Sequence, residues 1–255
     1  MKVLASEWLK IRSIRSSHLL VLIGLGAILL AVAVAFSAIS MYDNASPAMR
    51  RSARIAELEE VVLIVPQLCM GIMGVLAITS EYATGQIRTS LALVPRRWPV
   101  LMAKSAVVGG LGLVVGPVVV FVTYAVAKQM LEGRYPVASF AERFPTLVTS
   151  SLTVAVFALV GLGLGTVLRS AAGSIAVLVG LVYVIPIVVG NLPEPWSERF
   201  GSLMIGALPR EITGADLTSS VYGALLPPVA AGVVLALYAV VPLLAGALLL
   251  RHRDA

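Results

Sequence analysis

Charge is scarce in this sequence. Asp, Glu, Lys and Arg make up 13% of the 255 residues, about half of the roughly 25% usual in a soluble domain. Apolar residues reach 59% and the mean hydropathy is +0.97. A water-soluble surface cannot be clothed with so few charges, so the chain reads as an all-α integral membrane protein. Cysteine is reduced to Cys69, inside an apolar run, which excludes an intrachain disulfide. The two histidines, His18 and His252, stand at opposite ends of the chain near arginines, a placement that suits interfacial snorkelling rather than a metal site. HExxH, CxxC and G-x-S-x-G are missing, and no serine has a plausible base, so the chain is not expected to be an enzyme by itself. It also lacks GxxxxGK[ST], so it cannot cradle nucleotide phosphates in the P-loop way. The net charge of +6 is scattered between apolar runs without an aromatic-basic surface, which argues against nucleic acid.

What is present is a set of six apolar runs, at about 19–40, 61–80, 105–127, 146–168, 174–190 and 227–250. A bilayer core is crossed by about 20 apolar residues in a helix, with a range that covers all six. Leu19 to Ser40 spans 22 residues, longer than the roughly 7–15 of a cleavable signal core, so it is expected to remain as the first span. Residues 1–18 precede it with Lys2, Lys10, Arg12 and Arg15 against Glu7. As a helix they align Leu4, Trp8 and Ile11 on one side, the pattern of an amphipathic interfacial helix with a Trp anchor. Delimited this way, no span holds Asp, Glu, Lys or Arg, so nothing at membrane depth is available to couple to a proton gradient. A transporter without a gradient coupling and without a nucleotide site needs its energy from another chain.

The cations fix the expected topology. The N-terminus, second loop, fourth loop and C-terminus hold 11 cations and 3 acids, a balance of +8, and the other loops hold 8 cations and 10 acids, a balance of −2. By the positive-inside rule both termini are cytoplasmic. On the other side, the adjacent Glu59 and Glu60 read as an exposed helix end, and Lys128 to Pro145 as a polar loop. Residues 191–225 read as an extracytoplasmic segment of short amphipathic or re-entrant helices, with Phe200, Leu203, Met204 and Ala207 at helical spacing. Gly112/Gly116 and Gly161/Gly165 have GxxxG spacing, which permits close helix approach, within the chain or at a dimer seam. The polar positions Gln67, Thr123, Tyr124, Ser150, Ser151 and Tyr183 are the candidates for a substrate path.

The most informative stretch is 81–104, EYATGQIRTSLALVPRRWPVLMAK. Gly85 is expected to end the helix leaving the membrane, and Pro95 and Pro99 cannot continue one begun near Gln86. That leaves about two turns with Ile87, Leu91 and Val94 on one face, flanked by Arg88, Arg96 and Arg97. Such a segment is either a solvated loop that anchors topology or a docking helix with cations for partner carboxylates.

EYATGQIRTSLALVPRR, with the preceding GVLAITS and the following LMAK, resembles the segment between the second and third spans of ABC type-2 transporter permeases. SEWLKIRSIRSS resembles the connecting helix that opens the same family, most closely its actinobacterial members. The resemblance implies a six-span half of a dimer seated on a separate P-loop ATP-binding subunit in two copies. This chain would then hold no cofactor, with ATP and Mg on the partner, and the second half would be a copy or a paralogue. Gln86 to Val94 would be the coupling helix, within a contact formed by Glu81, Tyr82, Gly85, Gln86, Ile87, Arg88, Leu91, Pro95, Arg96 and Arg97. Arg169 and Ser170 would form a second contact, and Glu7, Trp8, Lys10 and Arg12 would belong to the connecting helix. Glu81 would pair with Arg88 or with an N-terminal cation such as Arg12. The implied role is export of an amphipathic or hydrophobic substrate (drug, peptide, lipid or glycan) across a bacterial cytoplasmic membrane. A non-transporting membrane scaffold or immunity protein that binds a cytoplasmic partner through the same basic loop is the alternative.

Overall fold

The computed structural model describes residues 2–51, 53, 55–86, 98–214 and 226–252. Helix is the only regular structure among them. In the order of the chain they form α1 (Lys2–Ser13), α2 (Arg15–Asn44), α3 (Pro47–Arg51), α4 (Leu58–Val62), α5 (Ile64–Ala83), α6 (Trp98–Leu131) and α7 (Phe140–Leu168). After these come α8 (Ala171–Val179), a π-helical turn (Gly180–Val184), α9 (Ile185–Gly190), α10 (Trp196–Gly201), α11 (Leu208–Thr213) and α12 (Pro228–His252). Six of the helical stretches are long and apolar enough to cross a membrane: α2, α4–α5, α6, α7, α8–α9 and α12. Long uncharged runs have no alternative there, because a helix is the structure that satisfies its backbone hydrogen bonds within one segment.

Helix α7 is the hub. It lies against α5, α6 and α12, and Val154, Phe157, Ala158 and Leu162 along it are fully buried. Small residues set its distances. A Cβ placed on Gly161 would overlap the carbonyl oxygen of Gly71 in α5, and one on Gly74 would overlap the carbonyl oxygen of Ala158. On the next face a Cβ on Gly112 of α6 would lie 2.6 Å from the Ala155 Cα, and one on Gly116 would overlap the Ser151 carbonyl. Both GxxxG pairs therefore pack within the chain, as close backbone approach requires. Elsewhere the exposed side chains of α2, α8–α9 and α12 are mostly apolar, among them Leu29, Phe36, Ile187, Val188 and Val241.

The helices outrun the apolar runs that mark them. The first extends to Arg15–Asn44, the second to Leu58–Ala83 and the third to Trp98–Leu131. The fourth begins before Pro145, because Ser139 and Glu142 form a reciprocal capping box that starts the helix at Phe140. The loop expected over Lys128 to Pro145 shrinks accordingly. Glu59, Glu60, Glu81, Lys104 and Arg143 thus fall inside helices, each within two turns of an end, so the expectation of uncharged spans holds only for their middles.

Segment 191–214 contains two short helices, α10 and α11, as expected of it. Phe200 and Leu203 stay exposed while Ala207 and Leu208 are buried, so the apolar face expected at helical spacing is divided. Ile205 and Leu208 join a cluster with Phe157, Leu178, Ala231 and Leu235, which seats this segment on α7, α8 and α12. Residues 215–225 of the expected extracytoplasmic segment lie outside the described residues.

Candidate functional site

The described ends of the 81–104 stretch meet at a buried cluster of four charges. Glu81 is the third residue from the end of α5, and Lys104 stands in the second turn of α6. The Lys104 Nζ lies 2.7 Å from Glu81 Oε1 and 2.6 Å from Glu7 Oε2 of α1. Its third hydrogen is donated to the Ala77 carbonyl at 3.0 Å, so all three ammonium donors are used. Lys10, one turn on from Glu7, completes the set at 2.7 Å from Glu7 Oε1 and 2.8 Å from Glu81 Oε1. Lys104 is 2%, Glu7 2% and Glu81 4% exposed. Two acids and two cations cancel, which is how four charges tolerate a site with so little water.

Glu81 therefore does pair with an N-terminal cation, but it is Lys10, joined by Lys104, rather than Arg12, which is exposed. The physical reason is helical register. Glu7, Lys10 and the buried Ile11 share the face of α1 that packs on α6 and reaches Glu81 of α5, and Arg12 is exposed. Glu7 interrupts the apolar side of α1 in the sequence because it is itself a buried residue with a partner 97 positions away. The Glu81–Lys104 pair had a signal in the sequence, symmetry: an acid follows one uncharged run and a cation precedes the next, on adjacent antiparallel spans.

Burial alone would lower the affinity of Lys10 for its proton, but the hydrogen bonds and charges of Glu7 and Glu81 outweigh it and raise its pKa above the ordinary 10.5. A raised lysine contributes stability that is complete below the unfolded value and is lost as pH rises through the folded one. Proteolytic release of α1 from the detergent-purified protein is therefore expected to stay constant from about pH 7 to 10 and to accelerate only above about pH 10.5. Release that already accelerates near pH 9 would show that Lys10 does not hold α1 in place.

Around the cluster, Tyr82 and Arg169 come together, with the guanidinium carbon 5.0 Å from the ring centroid, a cation–π distance. Arg169 caps α7 in the left-handed conformation, φ 53°, and Ser170 caps α8, accepting a hydrogen bond from the Gly173 N–H at 3.2 Å. Gly85 has φ 71°, which a Cβ would disfavour, and α5 has ended by then. Gln86 is exposed. Ile87, Arg88, Leu91, Val94, Pro95, Arg96 and Arg97, and with them the expected coupling helix, lie outside the described residues. No family model and no curated protein matches the chain.

The opposite end of the bundle holds a second charge cluster. Arg143 Nη2 lies 2.9 Å from Glu57 Oε2 and 3.2 Å from Glu59 Oε1, and Arg210 Nε donates to Glu60 Oε1 at 3.0 Å. Glu59 is 3% exposed, so the pair Glu59–Glu60 is not an exposed helix end. Its arginines come from α7 and α11, 84 and 150 residues away, and nothing local in the sequence points to them.

The candidate substrate path separates into parts. Gln67 and Ser150 line one cavity of about 160 Å3 together with Glu60 and Arg210, and Gln67 donates to Thr153 Oγ1 at 2.7 Å. The other four positions do not line it. Tyr124 donates to the Ala138 carbonyl at 2.9 Å, and Ser151 to the Val148 carbonyl at 2.7 Å. Thr123 is fully buried and Tyr183 is exposed.

Proposed function

We propose that this chain is the membrane-spanning permease subunit of an ATP-driven ABC exporter, with its energy supplied by a separate P-loop ATP-binding subunit. The observation that carries the reading is the Glu7–Lys10–Glu81–Lys104 cluster at the root of segment 81–104. Both ends of the segment are fixed to one point and to α1, so a push on the part between them is delivered to α1, α5 and α6 together. A free topology loop needs no such root. The packing of Arg169 on Tyr82 adds the second expected contact to the same body and supports one docking surface.

In this reading Gln86 to Val94 is the coupling helix, α1 lies along the inner surface of a bacterial cytoplasmic membrane, and both termini are cytoplasmic. ATP and Mg reside on the partner in two copies. The functional unit is a dimer with a second copy or a paralogue of this chain. Closure of the ATPases rocks the two halves, and an amphipathic or hydrophobic substrate leaves between them.

Gentle detergent purification of the chain from its own membranes, with mass spectrometry of what stays bound, tests the reading. A P-loop ATPase is expected near one-to-one, and its recovery is expected to fall at least tenfold in an Arg88→Glu, Leu91→Asp variant, since a buried hydrogen-bonded charge and an apolar anchor each contribute about 2 kcal/mol or more at an interface. A bound partner without a P-loop would assign the chain to the scaffold or immunity class instead.

A further inference from the structure

The elbow between α1 and α2 encloses a groove of about 410 Å3, walled by Ile11 of α1, Leu22 of α2, Met73 of α5 and Leu111 of α6. Its size falls in the range of about 300–1,000 Å3 typical of ligand pockets. The wall is hydrocarbon, with Arg12 and His18 along it, both of them exposed.

The charge around this groove has one sign. Residues 1–44 contain only two acids, Glu7 and Asp43. Glu7 is occupied by Lys10 and Lys104, and Asp43, at the far end of α2, pairs with Arg134. Arg12 and Arg15 have no ion-pair partner among the described residues. The buried cluster has thus taken the acid of α1 and left Arg12 uncompensated beside an apolar slot. Leu19, directly after His18, begins 24 residues without charge, so the cations stand where polar chain gives way to hydrocarbon. The ligand that suits a slot of hydrocarbon with a cation at its mouth, at that boundary, is an amphiphile with an anionic head.

We propose that the elbow groove binds one anionic membrane phospholipid, with an acyl chain in the slot and the phosphate against Arg12 and His18. The inference rests on the chain crossing a membrane and is independent of the ATP-coupled reading. The bound lipid bridges α1 to α5 and α6 beside the buried charges, through Ile11, Met73 and Leu111, which makes the seating of α1 sensitive to the charge of the surrounding bilayer.

The test titrates the detergent-purified full chain with palmitoyl-oleoyl phosphatidylglycerol, or with the phosphatidylcholine of the same chains, and counts bound lipid by native mass spectrometry. One phosphatidylglycerol per chain is expected to be retained at concentrations where phosphatidylcholine is not. Arg12→Gln is expected to weaken retention about fivefold, the effect of one cation at an anionic lipid surface. Leu22→Trp, at a position already 66% exposed, fills the slot and is expected to abolish retention while helix content stays unchanged. Equal retention of the two lipids, or retention indifferent to both substitutions, overturns the proposal. Displacement of the lipid by inorganic phosphate alone overturns it as well, by assigning the cations to a free anion.

Discussion

Lys104→Met is expected to destabilise the detergent-purified protein by about 3–5 kcal/mol, the cost of breaking a buried ion pair from one side. Methionine fills nearly the same volume, so little of the loss comes from a cavity. What changes is the company of the two carboxylates. Glu7 and Glu81 lose the ammonium that bridges them at 2.6 and 2.7 Å and keep only Lys10, which is more exposed, at 28% of its side chain. Water cannot take the place of Lys104 easily, since both carboxylates are almost fully buried. The double variant Lys104→Met, Glu81→Gln removes one of the stranded charges and is expected to recover more than about 1 kcal/mol relative to additivity. Chemical or thermal unfolding of the four proteins of the cycle measures this. A loss below about 1 kcal/mol for Lys104→Met, with an additive double variant, would mean that the cluster is wetted and does not anchor α1.

Gly161→Ala is expected to destabilise the protein by about 3 kcal/mol or more, at or beyond the upper end of ordinary overpacking. The new methyl would overlap the Gly71 carbonyl oxygen, and backbone cannot rotate aside as a side chain can. The seam between α5 and α7 must open, and with it the contacts of Met70, Met73 and Ala158, all buried in the same core. Gly74→Ala meets the Ala158 carbonyl across the same seam and is expected to behave alike. Gly26→Ala and Gly232→Ala are the controls, because a Cβ at either finds nothing within 4 Å. Both lie within helices, where alanine is the better helix former, so these two are expected to be neutral or slightly stabilising. Thermal melts that rank Gly161→Ala with Gly26→Ala would show that α5 and α7 do not approach as closely as their glycines allow.

The spans were legible because a bilayer leaves a hydrophobic run few choices, and the six runs near 19–40, 61–80, 105–127, 146–168, 174–190 and 227–250 each became a helix. Their ends were less legible. Hydropathy drops at the first charge, whereas a helix continues until its backbone is capped, as the Ser139–Glu142 box demonstrates by carrying α7 past Pro145 to Phe140. The turn after α5 was readable in Gly85, whose positive φ follows from the glycine. The glycine spacings signalled close approach, and the structure supplied the partners, Gly71 for Gly161 and Ala155 for Gly112.

The functional residues divide in the same way. Glu81 and Lys104 stood out in the sequence as charges that bound uncharged runs, and Glu7 and Lys10 as part of an N-terminal helix. That these four form one buried set was decided only by tertiary structure, because a hydrogen bond across 97 residues leaves no local period to read. Arg143 and Arg210, which hold the glutamates at the other end of the bundle, were invisible for that same reason. By itself, then, the sequence determined an all-α chain with six helices able to cross a membrane, since apolar length is a one-dimensional property that the bilayer reads directly. Which charges are buried together, and so where a force on segment 81–104 would be felt, depended on how those helices pack, because the pairing of two charges is settled by distance in space and not along the chain.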